Sequence, residues 1–160
     1  MQVLISDTNI LIDLEVGGLL QIMFKLPFEF CTPDVLYETE LANQHSHLIA
    51  LGLTLRELSP DSMVYAYRIN QSYNQPSFND LLALALAKQE SCPLLTGDKR
   101  LRQAAAKEAV VVKGTIWVVE QMITQGFINT LEARDAYLKM RESDRRLPFD
   151  LVLKNLDEFK

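Results

Sequence analysis

The chain is predicted to be an α/β domain, a three-layer α/β/α arrangement around a central parallel sheet of about five strands, with a C-terminal helical extension. Three observations predict it. Short apolar runs alternate with longer helix-favouring segments, as in a parallel sheet covered on both faces. The 160 residues are enough for one domain with a sizeable core. A composition of 48% hydrophobic and 23% charged residues is ordinary for a globular protein. The reading is of a single domain over 1–160, with a core to about residue 115 and the extension over about 116–160.

Each element follows from local pattern. Gln2 to Ser6 carries the apolar run Val3-Leu4-Ile5 and forms the first strand. Asn9 to about Phe24 is helical, broken at Gly17-Gly18. Phe28 to Cys31 is the second strand. Thr32-Pro33-Asp34 starts a helix, a capping residue followed by proline at the first helical position. Leu53 to Leu58 alternates apolar and polar residues, the period of a half-buried edge strand. Ser59-Pro60-Asp61 opens a helix to about Tyr73, and Asn74 to Asn79 is a loop. Asp80 to Glu90 favours helix almost throughout and leaves little polar surface, so this helix is expected to be buried. Pro93 to Thr96 and Ala109 to Val112 are the last strands, with a helix from Lys99 to Lys107 between them. Helices over Thr115 to Gln125, Thr130 to Arg141 and Phe149 to Phe159 make the extension. Gly126 suits the position just past a helix end.

Composition narrows the function classes. No apolar run approaches the roughly 18 residues of a membrane span, and no basic leader precedes the first strand. Cys31 and Cys92 sit in apolar, strand-like contexts and read as free thiols in a reducing cytoplasm. The net charge of −5 argues against a dedicated DNA-binding module. It does not exclude a nucleic-acid substrate, because an acidic pocket that binds divalent cations reverses its own potential.

Four carboxylates carry the chemistry. Asp7 follows the first strand and Asp98 the fourth, so a parallel sheet brings both to one edge. Asp80 begins the buried helix, and Glu38 lies on the helix after the second strand, with Glu40 two positions on. Asp7, Asp80 and Asp98 are also good helix caps. Several like charges in one pocket raise one another's pKa values. A divalent ion resolves that conflict, and oxygen donors select Mg²⁺ or Mn²⁺.

The ordered set resembles the PIN-domain family, the small nuclease fold of VapC-type toxins. The stretches that carry the resemblance are Ile5-Ser6-Asp7-Thr8-Asn9-Ile10-Leu11-Ile12, Pro33-Asp34-Val35-Leu36-Tyr37-Glu38, Asn79-Asp80 with its alanine-rich helix, and Leu95-Thr96-Gly97-Asp98 with Leu101. They span about residues 2 to 115. Lys113-Gly114-Thr115, Trp117 and Arg146-Leu147-Pro148 resemble a less-studied prokaryotic branch of PIN-like proteins with a C-terminal helical extension. The resemblance implies a metal-dependent ribonuclease that hydrolyses RNA phosphodiester bonds. In that reading Asp7, Glu38, Asp80 and Asp98 are the catalytic and metal-binding set for Mg²⁺ or Mn²⁺. Asn9 and Thr96 support them. It leaves open a small antitoxin partner, a toxin role and a homodimer.

Lys99, Arg100 and Arg102 follow Asp98 on the first turn of a helix, where phosphates could be met. Arg141, Arg145 and Arg146 form a second basic cluster. His45 and His47 read as a polar loop, since residues two apart do not share a helix face. Two other readings stay open. One is a catalytically inactive PIN-fold interaction module that uses the apolar tail with Trp117, Phe127 and Phe149. The other is a phosphotransfer enzyme, disfavoured because position 9 is Asn and the Asp-x-Asp nucleophile pattern is not met.

Overall fold

The computed structural model of the protein describes residues 1–159. Strands β1 (Gln2–Ser6), β2 (Phe28–Pro33), β3 (Thr54–Arg56), β4 (Leu94–Leu95) and β5 (Val112–Lys113) form one five-stranded sheet. Its order is β3-β2-β1-β4-β5, and every neighbouring pair is parallel. The chain starts in the middle, builds outward through β2 and β3, then returns to place β4 and β5 on the other side of β1. The reversal falls between β1 and β4. In open α/β sheets the crevice beyond the strand ends at such a reversal is where ligands bind.

One face is covered by α6 (Phe78–Glu90), which packs on β1 and β2. Seven consecutive residues, Leu81 to Ala87, are buried. This explains why the segment is leucine and alanine throughout: both favour helix, and no side needs to be polar. Each of its leucines contributes about 1.5–3 kcal/mol by leaving water. Helices α5 (Pro60–Ser72) and α7 (Lys99–Lys107) flank it. A short α3 (Asp34–Leu36) also packs on α6 and runs into a π-helical turn, Tyr37–Leu41.

A second helical group holds α1 (Thr8–Val16), α2 (Leu20–Met23), α8 (Thr115–Thr124), α9 (Thr130–Glu142) and α10 (Phe149–Leu156). Helix α1 touches α2, α8 and α9, while α10 packs on α9. The extension is thus packed against the core's first helix. Gly17 allows the close approach of α1 and α9, for a Cβ there would stand 2.7 Å from the Met140 terminal methyl. Gly18, at φ +75°, supplies the break between α1 and α2. No helix among the described residues is long and apolar enough to cross a membrane. Both cysteines are free.

Several boundaries differ from the sequence expectation. Thr32 is a buried strand residue and not a cap; its hydroxyl donates to the Ser6 carbonyl, and the strand continues through Pro33. The buried helix begins at Phe78, not at Asp80. Ser77 caps it, and Asp80 is the third residue, bonding back to the Ser77 amide in a capping box. The last strand is Val112–Lys113, because Ala109 takes φ +62° and delays its start.

Candidate functional site

The strand-end crevice is built around Asp7, a carboxylate only 1% exposed. It is held from three sides. Its backbone amide donates to the Leu95 carbonyl at 3.0 Å, continuing the β1–β4 ladder past the last strand residue. One side-chain oxygen accepts from the Ile10 amide at 3.0 Å and caps α1. The other accepts from the Thr96 hydroxyl at 2.5 Å. Thr96 in turn accepts from the Asp98 amide at 3.1 Å. Asp98 caps α7 with one oxygen, on the Leu101 amide at 2.8 Å. Capping and site formation therefore coincide: the cap fixes one carboxylate oxygen and orients the other.

Thr96 links the two strand ends, its one buried hydroxyl joining the Asp7 carboxylate to the Asp98 backbone amide. Asn9 is placed differently. Its side-chain and backbone oxygens accept from Arg145 at 3.2 and 3.3 Å. Arg145 also pairs with buried Asp13 at 2.6 Å, and Asp13 accepts from the Thr115 hydroxyl at 2.7 Å. Asn9 thus anchors the α9–α10 loop beside the crevice.

Electrostatics tie Asp80 into the same region. Burial pushes the Asp7 carboxyl from 3.8 up to about 7, against the opposing pull of the Thr96 and Ile10 hydrogen bonds. Asp80 and Asp13 add like-charge repulsion. Burial also raises Asp80 above its usual range, against its two bonds to Ser77, and Asp98 and Glu40 raise it further. Among the described residues no ion pair neutralises Asp7, Asp80, Asp98 or Glu40.

The π-helical turn carries both Glu38 and Glu40, and both are exposed. The Thr8 hydroxyl donates to Glu40 at 3.1 Å, and the Asn79 amide donates to Thr39 at 2.8 Å. Thr39 and Glu40 therefore face the start of α1 and α6. Glu38 is exposed and makes no side-chain hydrogen bond among the described residues.

Asp7, Asp80, Asp98, Glu38 and Glu40 offer only carboxylate oxygens, the donors a hard divalent cation takes. Among the described residues no three of these oxygens lie within 4.8 Å of one another, so a cation would have to draw them together. A second cluster was missed by the sequence reading of His45 and His47 as a polar loop. Both rings reach one oxygen of Glu15, at 3.4 and 2.9 Å. These three donors lie within 4.8 Å of one another and could hold a nitrogen-preferring metal. The rule that residues two apart diverge holds inside a helix, but His45 precedes α4 (His47–Leu51) and only His47 lies on it. Glu15 is eight residues beyond Asp7, so this cluster is about 12 Å along the α1 axis from the crevice.

The basic residues divide in two. Lys99 and Arg100 are exposed at the start of α7. Arg102 instead lines a cavity of about 840 Å³ that opens from Thr96 and Gly97 and is walled by β5, the start of α8 and the α9–α10 loop. Arg141, Arg145 and Arg146 line the same cavity.

Comparison with known proteins agrees with this fold. A family model described as a PIN domain matches residues 3–160. No curated protein matches the chain. Among solved structures, VapBC2 from Rickettsia felis bound to a DNA fragment from their promoter is similar at a TM-score of 0.52 and 12% identity. That match covers 71% of this chain and 98% of the other. A five-stranded parallel sheet between helices, acids at its strand reversal and a family match over nearly the whole length have one conclusion: the chain belongs to the PIN-domain family.

Proposed function

We propose that the protein is a metal-dependent endoribonuclease acting at the β1–β4 crevice. What supports the reading is that Asp7 and Asp98 follow the two strands at the sheet's reversal, that Asp80 is coupled by like-charge repulsion to both, and that no ion pair among the described residues neutralises the three. Mg²⁺ or Mn²⁺ bound there would supply the charge that activates water and offsets the phosphodiester's negative charge. The protein's own part is positional. Asp7 cannot swing, because Thr96 and the Ile10 amide hold both its oxygens. Asp98 is set by its cap on α7, and Asp80 by its capping box with Ser77. A fourth carboxylate comes from the π-helical turn. The family order points to Glu38, while the bonds of Thr8 and the coupling to Asp80 point to Glu40. Glu38→Gln and Glu40→Gln measured side by side assign the role, since only the ligand's variant loses activity by tenfold or more.

The reading includes cytoplasmic RNA as substrate and a small antitoxin as partner, a pairing suggested by the VapBC structural neighbour. A short DNA-binding-type reading frame next to the gene would support the toxin role. The direct test is RNA cleavage by the purified protein with and without Mg²⁺ or Mn²⁺. Asp7→Asn abolishes cleavage while the protein stays folded. Cleavage that survives both Asp7→Asn and Asp98→Asn overturns the site. A chain that binds neither Mn²⁺ nor RNA would be the interaction module instead.

A further inference from the structure

The cavity beside the crevice is basic in a chain whose net charge is −5. Its walls carry Arg102, Lys113, Arg141, Arg145 and Arg146 against one acid, Asp144. Arg145 is already committed to Asp13 and Asn9. The other four cations have no ion-pair partner among the described residues. Folding has thus brought cations from α7, β5, the end of α9 and the α9–α10 loop around one space with no carboxylate paired to these four among the described residues. Stability alone does not account for this, because unpaired like charges repel one another.

The rest of the lining gives the charge a shape. Trp117, half-buried, stands in the wall with Phe28 behind it at 5.5 Å and the Lys113 ammonium 5.7 Å from its ring centre. Phe149 contributes a second aromatic wall. At about 840 Å³ the cavity is far larger than an anion needs, within the roughly 300–1,000 Å³ of sites that enclose organic ligands. Separated cations with an interleaved aromatic are the means by which proteins hold single strands: backbone phosphates on Arg and Lys, bases on the ring. The cavity also begins at Thr96, whose hydroxyl holds the Asp7 carboxylate, and at Gly97, which precedes Asp98 in the chain. It therefore borders the residues next to the carboxylates.

We propose that this cavity is a subsite for single-stranded RNA, in which Arg102, Lys113, Arg141 and Arg146 take backbone phosphates and Trp117 stacks on a base. An acidic peptide would match the charge but would leave the indole and the continuity with the carboxylates unused. The substrate class rests on the nuclease reading, whereas the binding itself is measured without cleavage.

Trp117 is the only tryptophan, so its emission reports the subsite alone. The experiment titrates the Asp7→Asn protein, without divalent metal, with a ten-nucleotide oligouridine. Saturable quenching of Trp117 is expected. The affinity should fall with salt at a logarithmic slope near −3, as for about four phosphate contacts on a single strand. Arg141→Ala with Arg146→Ala should weaken binding about tenfold or more and flatten the slope by about 1.4. Both residues are exposed and have no ion-pair partner among the described residues, so the double variant should melt within a few degrees of its parent. Added to the otherwise wild-type protein, the same pair should raise KM for cleavage. Unchanged emission at saturating RNA, or unchanged affinity in the double variant, overturns the subsite. So does quenching by oligoglutamate where oligouridine gives none. Binding in the cavity without any cleavage by the wild-type protein would refute the nuclease reading and leave the subsite standing. Cleavage with KM unmoved in the double variant would do the reverse.

Discussion

Removing the charge of Asp7 should stabilise the protein while destroying its activity. The carboxyl is 1% exposed and held near a pKa of about 7 instead of 3.8. An acid whose pKa is raised on folding favours the folded state most when protonated. Its contribution is complete below the unfolded value near 3.8, and is lost as pH rises toward 7. At 1.36 kcal/mol per pH unit, that interval corresponds to about 4 kcal/mol. Asparagine removes the charge and keeps an oxygen for the Ile10 amide. Its amide can donate to Thr96, whose hydroxyl then turns away. Allowing for imperfect repacking, Asp7→Asn should gain about 2–4 kcal/mol at pH 8, or roughly 5–15 °C in Tm for a chain of this size. The gain should vanish near pH 4. Calorimetry of both proteins from pH 4 to 8 in EDTA measures it. Added Mg²⁺ should then close the gap, stabilising the wild type by about 2.7 kcal/mol at a hundredfold excess over Kd and the variant far less. A variant no more stable than the wild type at pH 8 in EDTA refutes the argument, because Asp7 would then be an ordinary satisfied cap.

Three further outcomes follow from the same contacts. Thr96→Val removes the bond that lowers the Asp7 pKa, so the rising limb of the pH–rate profile should move to higher pH, with about 1–2 kcal/mol lost at pH 8 by thermal melting. Arg145→Ala leaves buried Asp13 without its cation and frees the α9–α10 loop. Denaturant unfolding should show about 2–3 kcal/mol lost, and amide exchange should speed up in that loop. Gly17→Ala sets a methyl against Ala136 and the movable end of Met140, which should cancel the usual gain of about 0.4–1 kcal/mol for Gly→Ala, so thermal melting should show little change and cleavage near-normal rates.

What the sequence revealed was local. Asp7 and Asp98 could be placed because each ends a short apolar run and starts a helix, and a parallel sheet carries both to one edge. The Ser59 cap of α5 and the buried face of α6 were equally legible, since each is written in a few adjacent residues. Asp80 was displaced from cap to third helical residue, because Ser77 competes for the cap and the capping box uses both. The Thr8–Glu40 bond beside Glu38 was not legible, because the π turn that carries both glutamates cannot be read from helical spacing. The contacts that organise the crevice's surroundings were out of reach altogether. Arg145 meets Asp13 across 132 residues, and Glu15 meets His47 across 32. No short-range pattern encodes such meetings; they arise from how α9 and α4 come to rest beside α1. For the same reason a basic cluster readable only as a charge run became one wall of a cavity.

The carboxylates at the β1–β4 crevice are proposed to hold a divalent ion, and anomalous diffraction from crystals soaked in Mn²⁺ would locate it. A manganese peak enclosed by Asp7, Asp80 and Asp98, and absent from Asp7→Asn crystals, is expected. A peak at Glu15, His45 and His47 with none in the crevice would contradict it.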